Sequence, residues 1–491
     1  MAIKRYYATK DNTITNAYKA NLTTRGVSGN MGQSDILEVF NIYAQATTTS
    51  SELSRILIQF DTDAINADRT AGDIPASGSV NFFLTMYDAE HTQTTPKDYT
   101  LVVSAISQSW DEGLGLDMEE YSDEDASNWL SASDDTQWVD YGGTPQPGGS
   151  YKTGSDASPT EYLFTQSFDT GFENLEVDVS HLVEDWISGD LDNYGFGVHL
   201  TSSDESATNS YYTKMFFARG SQFFHKRPVI EARWDSSKKD NRGDFYLSSS
   251  LVPASDNLMN LYLYNVARGQ LTNIPAVGTN DMEVSIYSGT TDPAGDKLYL
   301  PVGGGVVATG DVNITASHVE TGIYSCSFAY VSSSITSIYD VWHSGGIEYH
   351  TGSAINIKTF DSQDYNFDQR YVSKVTNLRA IYNRGEKVRF RLYTRQKDWS
   401  PTIYTVANNI IETSIIDNTY YRFTRVSDNL EVIPFGTGSL NHTRLSYDTS
   451  GSYFDLEMGL FDTDTVYELS FAYLINGSYV QQPERFRFRV E

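Results

Sequence analysis

Arg55-Ile-Leu-Ile-Gln-Phe60 is the stretch that decides the fold class: it crowds β-branched and aromatic side chains into a short run, as a pleated, half-buried strand requires. Working outward, the same signal returns in Asp35-Ile-Leu-Glu-Val-Phe40, Val80-Asn-Phe-Phe-Leu-Thr-Met-Tyr87 and Tyr99-Thr-Leu-Val-Val103. Further on come Leu175-Glu-Val-Asp-Val179, Gly195-Phe-Gly-Val-His-Leu200, Lys214-Met-Phe-Phe217 and Val229-Ile-Glu-Ala-Arg-Trp234. Turn signals separate these runs. About eight to ten strands in this length predict a two-sheet jelly-roll sandwich over 35–235, preceded by an N-terminal arm or first strand at 1–34. One amphipathic helix is expected at Ser180-His-Leu-Val-Glu-Asp-Trp-Ile-Ser188, with Leu182, Val183, Trp186 and Ile187 on one face and Ser180 as its cap.

The polar run Asp235-Ser-Ser-Lys-Lys-Asp-Asn-Arg-Gly-Asp244 reads as a linker, at 236–244. Two immunoglobulin-like β-sandwiches are expected after it. The first covers 245–362, with Leu261-Tyr-Leu-Tyr264, Met282-Glu-Val-Ser-Ile-Tyr287 and a strand from Ile323 to Tyr330. The second covers 365–491, with Lys387-Val-Arg-Phe-Arg-Leu-Tyr393, Tyr420-Tyr-Arg-Phe423, a strand from Tyr453 to Met458, and Phe486-Arg-Phe-Arg-Val490. A short internal echo pairs Gly322-Ile-Tyr324 and Tyr339 with Gly451-Ser-Tyr453 and Tyr467. The fold class is therefore all-β: a jelly roll followed by two Ig-like domains.

Charge and composition narrow the function classes. Acids outnumber bases 64 to 35 in 491 residues, a formal charge of −29, so the chain's own field repels phosphate and broad nucleic-acid binding is disfavoured. No apolar run reaches the length of about 18 residues that a spanning helix needs, so membrane insertion is not expected. The single cysteine, Cys326, excludes an internal disulfide and reads as a small buried strand residue. Met-Ala-Ile-Lys-Arg-Tyr-Tyr at the start has no apolar core of a signal peptide. Assembly in a host cytoplasm and release by lysis reconciles that start with an extracellular style of composition.

No catalytic motif is found: no phosphate-binding loop, no metalloprotease helix, no Gly-x-Ser-x-Gly elbow. His343 and His350, seven positions apart, read as loop and strand-edge residues. The expectation is a protein that is not an enzyme and that needs no cofactor, calcium excepted.

Between Ser109 and Glu161 the alternation stops, a long break for a compact domain and one that marks function or an interface. Trp110, Trp129 and Trp138, three of the seven tryptophans, lie in this inserted loop (109–161) with Tyr121 and Tyr141. Such rings stack on sugars or anchor protein partners; equally, they fold back and plug the end of the sandwich. Asp111, Glu112, Asp117, Asp123 and Asp125 crowd hard oxygen ligands into a glycine-containing segment, a calcium candidate whose alternative is a solvated acidic loop. Asp61-Thr-Asp63 with Asp68 has the look of a calcium loop but lacks its glycine and closing glutamate. Arg242-Gly243-Asp244 spells an integrin-type tripeptide and is read as chance.

Several segments occur in a familiar order: Ser54-Arg-Ile-Leu-Ile-Gln-Phe-Asp61, Ser109-Trp-Asp-Glu-Gly113, Val177-Asp-Val-Ser-His-Leu-Val-Glu-Asp-Trp186, Tyr194-Gly-Phe-Gly-Val198 and Arg227-Pro-Val-Ile-Glu231. Over residues 40–235 this resembles the disaggregatase-related (DNRLRE) domain, a jelly roll akin to carbohydrate-binding modules. The chain departs from that pattern in its long insertion and in Lys214-Met-Phe-Phe-Ala-Arg-Gly-Ser-Gln222. The whole chain, through Arg5-Tyr-Tyr-Ala-Thr-Lys-Asp-Asn-Thr-Ile-Thr15 and Gln93-Thr-Thr-Pro-Lys-Asp-Tyr99, resembles virion structural proteins of marine tailed phages, those of cyanobacterial hosts in particular. That resemblance implies a neck, tail or fibre component located in the virion, with copies of itself and other virion proteins as partners. The alternatives are a carbohydrate-binding adhesin on host surface glycan and a capsid decoration protein. A polysaccharide depolymerase would need a β-helix or carboxylate cleft that the sequence does not show.

Overall fold

The computed structural model describes residues 2–491 apart from 92–95, 123–124, 135, 141, 155–157, 209–210, 250, 254–255, 290–292, 294, 296, 299–313, 332–333, 359–369, 400–412 and 437–441, and without the side chains of 118–122 and 211–212. The protein is all-β, built from curled half-barrel sheets and sandwich-like domains of the jelly-roll and Ig-like class. It divides into two compact units, Ile3–Trp234 and a second holding Asp235–Glu491. Among the described residues no helix is long and apolar enough to cross a membrane.

The first unit contains β1 (Ala2–Thr15), β2 (Gly29–Asn30), β3 (Ile36–Tyr43), β4 (Ser51–Phe60), α1 (Thr62–Ala71), β5 (Asn81–Met86), β6 (Tyr99–Ile106), β7 (Asp117–Ser122), β8 (Ser131–Ser133) and β9 (Thr136–Gln137). It continues with β10 (Tyr151–Lys152), β11 (Leu163–Phe168), β12 (Leu175–Asp178), α2 (Ser180–Ser188), β13 (Phe196–Leu200), α3 (Ser202–Glu205), β14 (Tyr211–Phe217) and β15 (Val229–Trp234). Eleven strands form one sheet in the order β10-β6-β13-β4-β1-β15-β5-β12, with β11 also on β6 and β3 carrying β14 beside β4. Of the arm or first strand expected at 1–34, Ala2–Thr15 is strand β1. The backbone of β1 pairs with β4 from Ala8 to Thr15, which makes it an interior strand.

Strand β4 is the centre of this unit, and its period of two sorts its side chains. Ile56, Ile58 and Phe60 enter the main core with Phe82, Leu84, Leu101, Val103, Phe196 and Val198. Leu57 points to the other face and is equally buried. Helix α2 closes the main core with Leu182, Val183 and Trp186, the last 4.8 Å from the Phe196 ring. Ser180 does not cap it. The residue before the helix is Val179, and Ser180 Oγ instead accepts from Phe82 N at 2.8 Å, tying the helix to β5. The run from Asp61 to Asp68 is no cation loop but helix α1: Asp61 accepts from the Asp63 and Ala64 amides, and Gly72, at φ 81°, ends it. Arg69 joins α1 to α2 through two bonds to Glu184, at 2.7 and 2.6 Å.

In the second unit, seven strands form one sheet over a core that includes Leu261, Val284, Ile286, Tyr324, Cys326, Phe328 and Trp342. Its strand order is Met259–Tyr264, Ile323–Phe328, Ile314–Glu320, Met282–Ser288, Ser337–Ser344 and Ile347–Thr351, with Ile355–Asn356 also on Ser337–Ser344. Beyond it, two sheets face one another. One holds Tyr371–Val375, Lys387–Gln396, Gly451–Glu457 and Ser446–Asp448. The other holds Ile381–Tyr382, Phe486–Val490, Thr465–Ile475, Thr419–Arg425 and Glu431–Ile433, with Ser478–Gln481 on Thr465–Ile475. An aromatic stack fills the space between: Phe454 lies 4.1 Å from Tyr421 and 5.1 Å from Phe390. The segment 236–244, expected as a linker, is a built part of this unit. Asp240 N donates to Tyr447 O (3.1 Å), Tyr447 N donates to Lys238 O (2.9 Å), and Asn241–Gly243 forms a 3-10 turn.

Candidate functional site

The insertion folds as a cap on the outer face of the first sheet. Ile14 of β1, Leu57 of β4 and Ile106 of β6 point outward, and Trp110, Trp129, Ala132 and Trp138 cover them in a second, smaller core. All three tryptophans are buried, so their ring faces are turned into the protein. The indole N–H groups of two of them are satisfied by backbone: Trp110 donates to Tyr194 O and Trp138 to Asn128 O, both at 2.8 Å.

Two buried asparagines stitch the cap to the strands beneath. Asn12 of β1 donates to Ser127 O at 2.9 Å and accepts from Met31 N at 2.9 Å. Asn30 of β2 donates to Glu112 O and Ser127 O, both at 2.8 Å, and accepts from Gly32 N and Gly115 N. An amide is suited to this work because it carries donors and acceptors together.

Arg55 is the charged centre of the arrangement. It shares the outward face of β4 with Leu57, and its guanidinium makes two bonds to Glu205 of α3, at 2.8 and 2.7 Å. A third bond runs to Gly148 O at 2.8 Å. The same group lies 5.5 Å from the Trp129 ring centroid and 5.6 Å from that of Tyr151. Tyr151 donates to Gly148 O (2.8 Å) and rests on Gly197, where a Cβ would come within 2.0 Å of the ring. Burial raises the Tyr151 phenol above its usual range and lowers the neighbouring His199 imidazole.

A carboxylate clasp closes the other end. Arg219 bonds both oxygens of Glu112, with the Nε contact at 2.7 Å, and its amide donates to Asp11 Oδ2 at 2.6 Å. Asp11 N in turn donates to Glu112 Oε1 at 2.8 Å. Burial pushes the Asp11 carboxyl up to about 7, with the adjacent Glu112 adding to the shift and Arg219 and Arg227 opposing it.

These contacts settle where the sequence candidates stand. Glu112 is held by Arg219. Asp111 and Asp125 are exposed and Asp117 is half-buried, while Asp123 lies outside the described residues. Among the described residues no group of three or more metal-ligating side chains is gathered for an ion. Tyr141 lies outside the described residues, as does the side chain of Tyr121. The tripeptide at 242–244 is engaged internally: Arg242 pairs with Asp340 (2.6 Å) and Asp244 with Lys358 (2.7 Å).

Facing outward, the insertion shows Leu114, Leu116 and Leu130, which are 75%, 47% and 43% exposed. Residues 111–150 carry eleven carboxylates and no lysine or arginine. Arg55, Glu205, Asn12, Asn30 and Gly197 are not among the residues the sequence singles out for a site. The signals for two of them were present: a lone arginine inside an apolar strand, and a glycine between Phe196 and Val198 that marks close approach.

No protein-family model matches the chain, and no curated protein does. Among solved structures it is similar to a marsupial T cell receptor at 10% identity, over 51% of this chain and 71% of that one, with a TM-score of 0.16. Domains A168–A170 of titin are similar at 10% identity, over 52% and 64%, with a TM-score of 0.13. Native E. coli alpha-2-macroglobulin is similar at 10% identity over 89% of this chain, with a TM-score of 0.15; the chain spans 21% of that protein's length.

Proposed function

We propose that this chain is a structural component of a tailed-phage particle, associated with neck, tail or fibre, and that it works by protein–protein contact through the capped face of its first unit. The observation that carries this reading is the inverted polarity of the insertion. Its aromatic rings are inside, and leucines set among carboxylates are outside. Exposed apolar side chains on a rigid base favour a protein partner. Stacking on a sugar needs an accessible ring face, which Trp110 and Trp138 do not offer. Four of the five segments that resemble the DNRLRE pattern fall on β4, β12 with α2, β13 and β15 of the first unit, and the fifth, Ser109–Gly113, opens the insertion. The phage assignment itself rests on the resemblance of Arg5–Thr15 and Gln93–Tyr99 to virion proteins of tailed phages.

The test is carboxylate-directed cross-linking of purified particles followed by peptide mapping. Cross-links from acids within 111–150 to another virion protein or a second copy are expected. Glycan binding by the full chain that Trp129→Ala abolishes, with no such cross-links, would instead support the adhesin.

A further inference from the structure

Lys214 of β14 is buried within the first unit, its side chain only 1% exposed. The bridge between Asp88 and Phe216 brings the segment after β5 alongside β14, and Lys214, two positions from Phe216, lies on the same strand face. Its Nζ contacts Asp88 Oδ1 and also donates to Gly171 O (2.9 Å) and Glu173 O (2.8 Å). The rings of Phe216 and Phe168 lie 5.0 and 5.3 Å from Nζ. Burial lowers the Lys214 ammonium from the usual lysine range, against the pull of Asp88 and Glu173. The buried Tyr99 ring, stacked on Phe168 at 5.0 Å, interacts electrostatically with Asp88 and Glu173.

We propose that Lys214 and Asp88 join covalently in the folded protein, forming an amide between Nζ and the Asp88 Cγ. The reactive form is reached by one proton transfer along the existing contact, which leaves an uncharged amine at Nζ and a carboxyl group on Asp88. A neutral amine has two N–H groups and one lone pair. The Gly171 and Glu173 carbonyls take the two N–H groups, and the lone pair is left facing Asp88. Desolvated lysine in such a pocket is a nucleophile. Nζ attacks Cγ, the C–N bond forms, the C–OH bond breaks, and the second amine proton leaves with the hydroxyl as water. Ammonium plus carboxylate thus becomes amide plus water, with atoms and charge balanced and no oxidant or co-reactant required. The bond ties positions 126 apart, and so restrains the unfolded chain as other long-loop cross-links do.

The experiment is intact-mass measurement of the purified full chain after denaturation. A mass one water below the sequence mass, about 18 Da, is expected. Trypsin should then fail to cut after Lys214 and should release a branched species joining 70–97 to 153–219. Asp88→Ala should restore the full mass and cleavage after Lys214. A wild-type chain of full mass, cut normally after Lys214, overturns the proposal whether or not the variant folds. A loss of water mapped to any other position overturns it as well.

Discussion

A single added methyl at Gly197 tests the way the cap sits on the sheet. In Gly197→Ala the new Cβ would lie 2.0 Å from Tyr151 Cε1, where carbon atoms normally rest about 3.5–4.0 Å apart. The ring must therefore move by more than an ångström, and two things hold it in place: its hydroxyl bond to Gly148 O and the Arg55 guanidinium over its face. Overpacking of this kind costs about 1–3 kcal/mol. Losing the hydroxyl bond adds about 1 kcal/mol. Weakening the cation–π contact adds about 0.5–1 kcal/mol. Together these predict a loss of about 2.5–5 kcal/mol, at a strand position that would otherwise accept alanine. The assay is denaturant unfolding of the full chain followed by tryptophan fluorescence, since three of the seven tryptophans report on the cap. Tyr151→Ala in the same background removes the clash, so the double variant should be less destabilised than the sum of the two single ones. A change below about 0.5 kcal/mol, or strictly additive effects, would refute the packing argument.

Three further outcomes are expected. Trp138→Ala, at a fully buried site, should cost about 3–5 kcal/mol and raise hydrogen exchange at Asn128 and Trp129 before it affects the main core. Burial pushes the Asp11 carboxyl from the ordinary 3.8 up to about 7, so the folded state holds the extra proton between those values. Its contribution to stability is therefore full below about pH 4 and is lost as the pH rises through 7, and Asp11→Asn should flatten that slope in pH-dependent unfolding. Arg242→Ala strands the fully buried Asp340 and should destabilise the second unit by about 3–5 kcal/mol in thermal unfolding, an effect that an exposed adhesive tripeptide would not show.

The strands were legible because their side chains alternate, and α2 because four apolar residues fall on one face. Helix α1 was hidden by its own cap: Asp61, Asp63 and Asp68 look like cation ligands until Asp61 is seen to hold two amides. The cap was harder to read, since its order comes from distant backbone groups meeting Asn12 and Asn30, which no local pattern encodes. One trace was available. Ile56-Leu57-Ile58 is apolar without alternation, the mark of a strand buried on both faces. Something had to cover the outer face, and the only long unassigned segment nearby in the chain was 109–161. The tryptophan enrichment in that segment reflects a core rather than an exposed platform.

The most direct test is cryo-electron microscopy of intact phage particles released from cells in which this chain is made. Ordered, repeated density for the protein is expected, with Leu114, Leu116 and Leu130 covered by a neighbouring subunit. Absence of the chain from the particle, or repeated copies in which that face stands open to solvent, would contradict the proposed role.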